Sequence, residues 1–179
     1  MHILQISAVV CAFISLLLLL IALGSDYWVQ SGNVHFGLWK ACGPFSPSYT
    51  CLSYSMDLVQ DYFHVTRAFM FFGMIAGAVS CIILCGTFFD FQFGFLSRAR
   101  TSAIASLVAA GCVLIAMATF TGRTATLTSS YGWSFGLGWA SFPLFLITCR
   151  LESEMPAGEV NLKPPLSARQ FPSTRAPVG

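Results

Sequence analysis

One stretch of the sequence spells a catalytic motif. The run Gly132-Trp133-Ser134-Phe135-Gly136 fits G-x-S-x-G, the nucleophile elbow of hydrolases. The elbow must follow a strand, and its acid and histidine partners come later in the chain. This sequence has no Asp after Asp90 and no His after His64. Because serine catalysis lacks its base, we predict that the protein is not an enzyme and uses no cofactor.

Two of the seven cysteines form a natural pair. Only Cys42 and Cys51 lie between the first two apolar runs, and prolines between them favour a turn. If that segment lies outside the cytosol, it is in an oxidising compartment, and the pair is predicted to be a disulfide. The alternative is a metal site with His35 and His64. These four residues lack the Cys-x-x-Cys spacing of structural zinc sites, so we expect no metal.

The other five cysteines lie in or at the ends of apolar runs. Cys149, beside Arg150, and Cys85 are candidates for palmitoylation, because juxtamembrane cysteines are common acylation sites. The alternative is that both are small apolar residues packed among helices. We interpret the remaining three, Cys11, Cys81 and Cys112, as packing residues.

The elements that must position these residues are membrane spans. Of 179 residues, 56% are hydrophobic and only 9% are charged, whereas soluble proteins have about a quarter charged. The charges leave long intervals that can each hold the roughly 20 apolar residues of a spanning helix. We predict one membrane domain over 1–150, with spans at about 3–24, 68–89, 101–122 and 133–149, outer loops 25–67 and 123–132, and a disordered cytoplasmic tail at 151–179.

Lys and Arg near the span ends predict the orientation. More of them fall on the side of both termini, so both termini are predicted to be cytoplasmic and the lipid bilayer is the main partner. There is no basic run that would indicate nucleic-acid binding. A removed signal peptide ending near Ala22-Leu23-Gly24 is the alternative for the first run, but that run has no basic segment before it and is long for a signal peptide.

The predicted spans contain no carboxylate or histidine, so the usual signature of intramembrane proton relays and ion sites is missing. The second span contains Gly73 and Gly77 in a G-x-x-x-G pattern, which lets two helices approach closely. Both packing within one chain and self-association fit this pattern, and we favour packing within the chain.

The first outer loop has two strand-like runs around a Pro/Gly turn, which predicts a hairpin on the membrane surface. Its aromatic residues either pack this small sheet or form an interaction surface, since apolar side chains outside the bilayer often mark contacts. These residues include Phe36, Phe45, Tyr49 and Tyr54.

The order of the loop residues resembles a known family signature. Trp28 is followed by Gly37-Leu38-Trp39, then Cys42 and Cys51, then Arg67. This resembles the W…GLW…C…C…R pattern of the claudin, peripheral myelin protein and epithelial membrane protein superfamily. The resemblance covers the whole four-span layout.

The resemblance implies an all-α membrane fold, with a left-handed four-helix transmembrane bundle and a small extracellular antiparallel β-sheet formed by the first outer loop with part of the second. It implies that Trp28, Gly37, Leu38 and Trp39 anchor the sheet, and that Arg67 supports it from the second helix. It also implies the disulfide already predicted from the cysteines. All of these roles are structural.

Within the superfamily, the stretches 20–28 and 62–70 are most similar to the branch of the lens fibre membrane intrinsic protein and the natural killer granule protein. The resemblance implies a protein that organises membrane or cell–cell contacts, in cis or trans, with itself or other membrane proteins, at the plasma membrane. Alternatives are a granule or vesicle membrane protein that regulates exocytosis in immune cells, and an auxiliary subunit of a channel.

Overall fold

The computed structural model describes residues 2–45, 48–55, 59–86, 98–125 and 130–154. Four helices contain most of these residues, and each is long and apolar enough to cross a membrane. Their bounds are α1, His2–Gly24; α2, Asp61–Gly86; α3, Arg98–Thr124; and α4, Trp133–Ser153.

Two helices extend beyond the spans expected from the apolar runs. Helix α2 begins at Asp61 rather than near residue 68, so its first two turns reach the level of the sheet. Helix α4 continues to Ser153, past the expected end of the last span. The predicted disordered tail lies outside the described residues from position 155 onward, as does most of the loop between α2 and α3.

The helices pack as a bundle in which α2 contacts α3, α4 contacts α1 and α3, and α1 contacts α2. The core contains large apolar side chains from all four helices, including Leu19, Met70, Phe120 and Phe145. Other large apolar residues point outward along the helices, among them Phe72, Ile82 and Ile104. A helix bundle with an apolar exterior is suited to lipid rather than water.

Five short antiparallel strands form one sheet at one end of the bundle, in the order β4-β3-β2-β1-β5. A two-residue turn joins β1 to β2, and its Gly32 has a φ of 58°, which glycine adopts without steric cost. The bundle and the antiparallel sheet confirm the predicted fold class. The strands are β1, Val29–Ser31; β2, Val34–Phe36; β3, Lys40–Gly43; β4, Thr50–Ser53; and β5, Ser130–Tyr131.

The fifth strand comes from a different part of the chain than the other four. Strand β5 lies between α3 and α4, and it pairs with β1 through Val29 and Tyr131. The sheet therefore joins both connections at this end of the bundle. The residue pattern alone predicted a hairpin in the longer connection, and the family resemblance implied that part of the shorter one joins the sheet.

The prediction that no carboxylate lies within a span is wrong. Glu152 belongs to the last turn of α4 and is fully buried in the bundle. The predicted span ends at residue 149 with the charge-free interval, whereas α4 continues for three residues beyond Arg150.

Gly73 and Gly77 both face helices of the same chain. A Cβ atom on Gly73 would lie 3.1 Å from the side chain of Val113 on α3. A Cβ atom on Gly77 would lie 2.9 Å from the ring of Phe145 on α4. Since a missing Cβ is what permits these contacts, the G-x-x-x-G pattern contributes to packing inside the bundle.

We expect Gly77→Ala to be less stable than Gly111→Ala. Both changes gain the same helix propensity. A Cβ atom on Gly111 would have no neighbouring atom within 4 Å, whereas a Cβ atom on Gly77 would meet the buried Phe145 ring. Overpacking of this kind costs about 1–3 kcal/mol. Thermal unfolding of the two purified variants in detergent measures the difference, and equal melting temperatures would contradict the packing role.

Candidate interaction surface

The sheet is fastened to α1 by two tryptophan side chains. The last carbonyl groups of a helix have no intrahelical partner, so they need donors from elsewhere. The Trp28 indole donates to the carbonyl of Ala22 at 2.6 Å, and the Trp39 indole donates to the carbonyl of Leu23 at 2.8 Å. Ala22 and Leu23 are buried. The proposed cleavage region of a signal peptide is thus part of the core and of this anchor.

Trp28 also fills the centre of the bundle at this end. It is completely buried, and its ring meets Phe120 of α3 edge-on, with 4.8 Å between the ring centroids. Phe135 of α4 lies 6.1 Å away in a similar arrangement. Edge-to-face contacts of this kind add to the stabilisation that comes from burying the rings. A single side chain therefore connects the sheet to α1, α3 and α4.

Arg67 fastens the sheet to α2. Its guanidinium donates from Nε to the carbonyl of Leu38 at 2.9 Å and from a second nitrogen to the same oxygen. The guanidinium also lies 4.6 Å from the centroid of the Trp39 ring, a cation–π contact. Arg67 is buried, so its charge depends on these partners. A lysine cannot provide both the fork of donors and the flat stacking surface.

Two glycines allow the backbones around the sheet to touch. A Cβ atom on Gly37 would collide with the backbone of Asp26 and lie 2.8 Å from the carbonyl oxygen of Ser25. A Cβ atom on Gly132 would collide with the backbone of Tyr27, and its amide donates to the carbonyl of Trp28 at 2.9 Å. Gly37 belongs to the family-like signature, whereas the role of Gly132 was not predicted.

The disulfide links the outermost strand to its neighbour. Cys42 on β3 and Cys51 on β4 are directly opposite in the register and are bonded, with 4.0 Å between their Cα atoms. Cys42 is buried and Cys51 is exposed. The bond therefore fixes the exposed strand β4 to the buried side of the sheet.

A polar cluster lies beside the disulfide. Nε2 of His35 and Nζ of Lys40 are each 3.5 Å from the carboxylate of Asp26, and the His35 ring stacks on Tyr27 with 4.0 Å between centroids. Asp26, His35 and Cys42 have the spacing of a metal site. Because the Cys42 sulfur is in a disulfide, it offers no thiolate, and His64 is not in this group. The arrangement fits a hydrogen-bonded ion cluster better than a metal centre.

The exposed apolar surface of the sheet is smaller than the sequence suggested. Phe36 packs against the core, and Tyr54 lies 5.7 Å from the ring of Phe63, where burial raises the pKa of Tyr54 to about 12. Phe45 is half-buried. Only Tyr49 is exposed among the four aromatic residues considered, and Leu52 joins it; their side chains are 58% and 57% exposed.

Leu52 belongs to the edge strand β4, and Tyr49 directly precedes that strand. All four residues of β4 are exposed, and β3 is its only neighbour in the described sheet. The Tyr49 hydroxyl lies 3.1 Å from Nδ1 of His35, which holds the phenol in place. We call Tyr49 together with Thr50–Ser53 the β4 edge. It combines two apolar side chains with an unpaired strand edge, the features of a protein contact surface.

A second exposed group lies at the opposite edge of the sheet. Tyr27, Tyr131 and Trp133 are exposed, and the rings of Tyr27 and Trp133 are stacked at 5.8 Å. Trp133 begins α4, at the end of a membrane span, and amphipathic rings are favourable at the membrane interface. This group therefore fits lipid headgroups, and the β4 edge is the better candidate for a protein contact.

The G-x-S-x-G stretch directly follows strand β5: Gly132 precedes helix α4, and the other four residues form its first turn, so a strand does come before the motif. Ser134 is fully buried, and its hydroxyl has no hydrogen-bond partner among the described residues. A nucleophile needs a base within hydrogen-bonding distance and access for substrate. Neither condition is met at Ser134.

The two candidate acylation sites lie toward the end of the bundle opposite the sheet. Cys85 is next to the last residue of α2, and Cys149 lies in the last two turns of α4. Both are half-buried. Their palmitoylation remains a prediction.

Comparison with known proteins agrees with this architecture. The model of the PMP-22/EMP/MP20/Claudin family matches residues 1–151. The human lens fiber membrane intrinsic protein is 31% identical over 146 residues, which cover 73% of this chain and 79% of that protein. Protein NKG7 of Mus musculus is 30% identical over 133 residues, which cover 71% of this chain and 76% of that protein. The human Protein NKG7 is 28% identical over 145 residues, covering 75% and 81%.

Arg67→Lys should lower the free energy of unfolding by about 1.5–3 kcal/mol, the range for hydrogen bonds that involve a charged group. Lysine keeps the charge but loses the forked contact with Leu38 and the stacking on Trp39. Arg123→Lys is the matched control, since Arg123 is exposed in the last turn of α3. Thermal unfolding in detergent compares them, and equal stability of both variants would show that Arg67 does not anchor the sheet.

Proposed function

The chain belongs to the PMP-22/EMP/MP20/claudin family, and on that premise we propose that it organises membrane or cell–cell contacts through the segment between its first two spans. Proteins of this family are generally non-enzymatic tetraspan membrane proteins, and we propose the same for this chain. Its function then depends on a binding surface that is held in a fixed position above a membrane-embedded bundle.

The β4 edge supports this proposal best. Leu52 is more than half exposed on a strand that the disulfide holds in place. The two tryptophan anchors and Arg67 fix the rest of the sheet to the bundle. A surface that is ordered before binding loses little conformational entropy when a partner docks, which favours affinity. The partner is a second copy of this chain or another membrane protein, in the same or an apposed membrane.

The proposed orientation places the sheet outside the cell and both termini in the cytoplasm. Four spans put the two chain ends on one side of the membrane and the sheet on the other. A disulfide within the sheet is stable in an oxidising compartment and rare in the cytosol. The bias of Lys and Arg toward the side of the termini supports the same orientation. We propose the plasma membrane as the location.

A second candidate function is that of a granule or vesicle membrane protein that regulates exocytosis in immune cells. The similarity to Protein NKG7, together with the resemblance described from the sequence, favours this alternative. The same sheet would then face the vesicle lumen, which is also oxidising along the secretory route. The two proposals therefore differ in location and share the fold and the orientation relative to the cytosol.

Leu52→Asp should abolish enrichment of the protein at contacts between cells, because a charge replaces the exposed apolar side chain at the centre of the β4 edge. Asn33→Asp is the control, since it adds the same charge at the exposed turn between β1 and β2. The measurement is the ratio of tagged protein at contacts to tagged protein on free membrane. Unchanged enrichment of a correctly delivered Leu52→Asp variant would refute the contact surface.

We expect the C-terminally tagged protein, in cells that express it naturally, to concentrate where two cells meet. Imaging before and after stimulation of secretion makes the comparison. Residence in granules that reach the surface only on stimulation would reject the contact proposal and make the exocytosis function the leading one.

A further inference from the structure

A buried polar site lies at the end of the bundle opposite the sheet. Glu152 of α4 is completely buried, although carboxylates are almost never fully buried unless paired. Its Oε1 accepts hydrogen bonds from Ser80 of α2 and Ser102 of α3, the first at 3.0 Å. Ser106, one turn further along α3, bonds to the Ser80 hydroxyl at 2.7 Å. One carboxylate and three buried hydroxyl groups from three helices therefore meet at one point.

The second carboxylate oxygen has no protein partner. Oε2 of Glu152 is buried and makes no hydrogen bond to any described residue. A buried oxygen with a share of negative charge is costly unless something compensates it. Ser80 and Ser102 donate to Oε1, and Ser106 bonds to Ser80, so these hydrogen bonds leave Oε2 unsatisfied. An unsatisfied buried oxygen beside a cluster of other oxygens is an arrangement that a cation can bind.

The described side chains provide no cationic partner. Arg150, two residues earlier in α4, and Arg100, near the start of α3, are both exposed, and neither forms an ion pair with Glu152. The adjacent Cys81 is a neutral thiol packed beside the site. The hydrogen bonds that reach the Glu152 carboxyl group come from the hydroxyl groups of Ser80 and Ser102.

We propose that Glu152, Ser80, Ser102 and Ser106 form a binding site for one small monovalent metal cation, with sodium as the expected ion. The site offers five oxygen atoms, two from the carboxylate and three from hydroxyl groups. Serine hydroxyls can rotate about the C–O bond, so each of the three can present a lone pair to a cation. Oxygen donors of this kind suit hard cations rather than zinc or copper.

The charge of the site selects the valence of the ion. One carboxylate and one monovalent cation give a neutral site, which is the favourable state in a medium of low dielectric constant. Calcium would leave an uncompensated positive charge, and it prefers six to eight ligands with more than one carboxylate. The hydroxyl oxygen of Ser80 lies 2.7 Å from that of Ser106 and 3.3 Å from that of Ser102, so the three hydroxyl groups form one hydrogen-bonded cluster.

Binding of the cation should stabilise the contacts among three helices. Since Ser80, Ser102 and Glu152 belong to α2, α3 and α4, an ion at their centre would stabilise the bundle at the end that has no sheet. A ligand that binds only the folded state raises its stability in proportion to the logarithm of the ligand concentration. The proposal does not depend on the contact or exocytosis functions.

The test is the melting temperature of the full-length protein in detergent, in sodium chloride against choline chloride at equal ionic strength and pH 8. We expect a saturable rise in sodium of roughly 2–4 °C, which is the shift expected for about 1 kcal/mol in a chain of this size. Equal melting temperatures of the wild-type protein in the two salts would overturn the proposal, and this comparison requires no variant.

Glu152→Gln should remove the sodium effect, whereas Glu154→Gln, at an exposed position just past the end of α4, should keep it. If Glu152→Gln does not fold, Ser106→Ala provides the same comparison, with the sodium effect reduced. A sodium effect that persists unchanged in either variant would place the ion elsewhere. A melting temperature that depends on pH but not on sodium would show that the occupant is a proton and would also overturn the proposal.

Discussion

The carbonyl groups at the sheet end of α1 impose the constraint on which the rest of the structure depends. A helix that ends inside protein, beside lipid, has carbonyl oxygens that water cannot reach, and each needs a donor. Trp28 and Trp39 provide two indole donors for Ala22 and Leu23. Arg67 likewise donates to the carbonyl of Leu38, in the connection that leads into β3. The side-chain hydrogen bonds that satisfy these backbone carbonyl groups therefore also hold the sheet on the bundle.

This arrangement fills the space between the helices at the sheet end. The aromatic side chains at the sheet end fill the space between the helices, with Phe120 and Phe135 packed around Trp28. Ser134, which a hydrolase would expose, is buried in that packing. At the sheet end, exposed apolar side chains lie at the edges of the sheet, where β4 has one free side. A rigid edge of this kind suits recognition by another protein, since β-strand edges pair readily with further strands.

The sequence predicted the features that depend on composition and spacing. Charge-free intervals located the four helices because no charge is tolerated in lipid without a partner, and the isolated pair Cys42 and Cys51 indicated the disulfide. Features that depend on distant contacts have no local pattern. The pairing of β5 with β1 joins segments about 100 residues apart, and only the family resemblance implied that the second outer loop contributes to the sheet. The burial of Glu152 was not predicted, because the span was bounded by the charge-free interval that ends before Arg150, and only the packing of α4 against Ser80 and Ser102 shows that Glu152 is buried.

Each end of the bundle contains a buried ionisable side chain, and the two side chains differ in how completely they are partnered. At the sheet end, Arg67 has a carbonyl acceptor and an aromatic face, so its charge is satisfied by groups that are always present. At the other end, Glu152 has donors for one oxygen and none for the other. A fully partnered charge stabilises one arrangement permanently, whereas a half-partnered one makes stability depend on an additional ligand. The sheet end is therefore the fixed part of the molecule, and the end with Glu152 is the part whose packing the surrounding solution can alter.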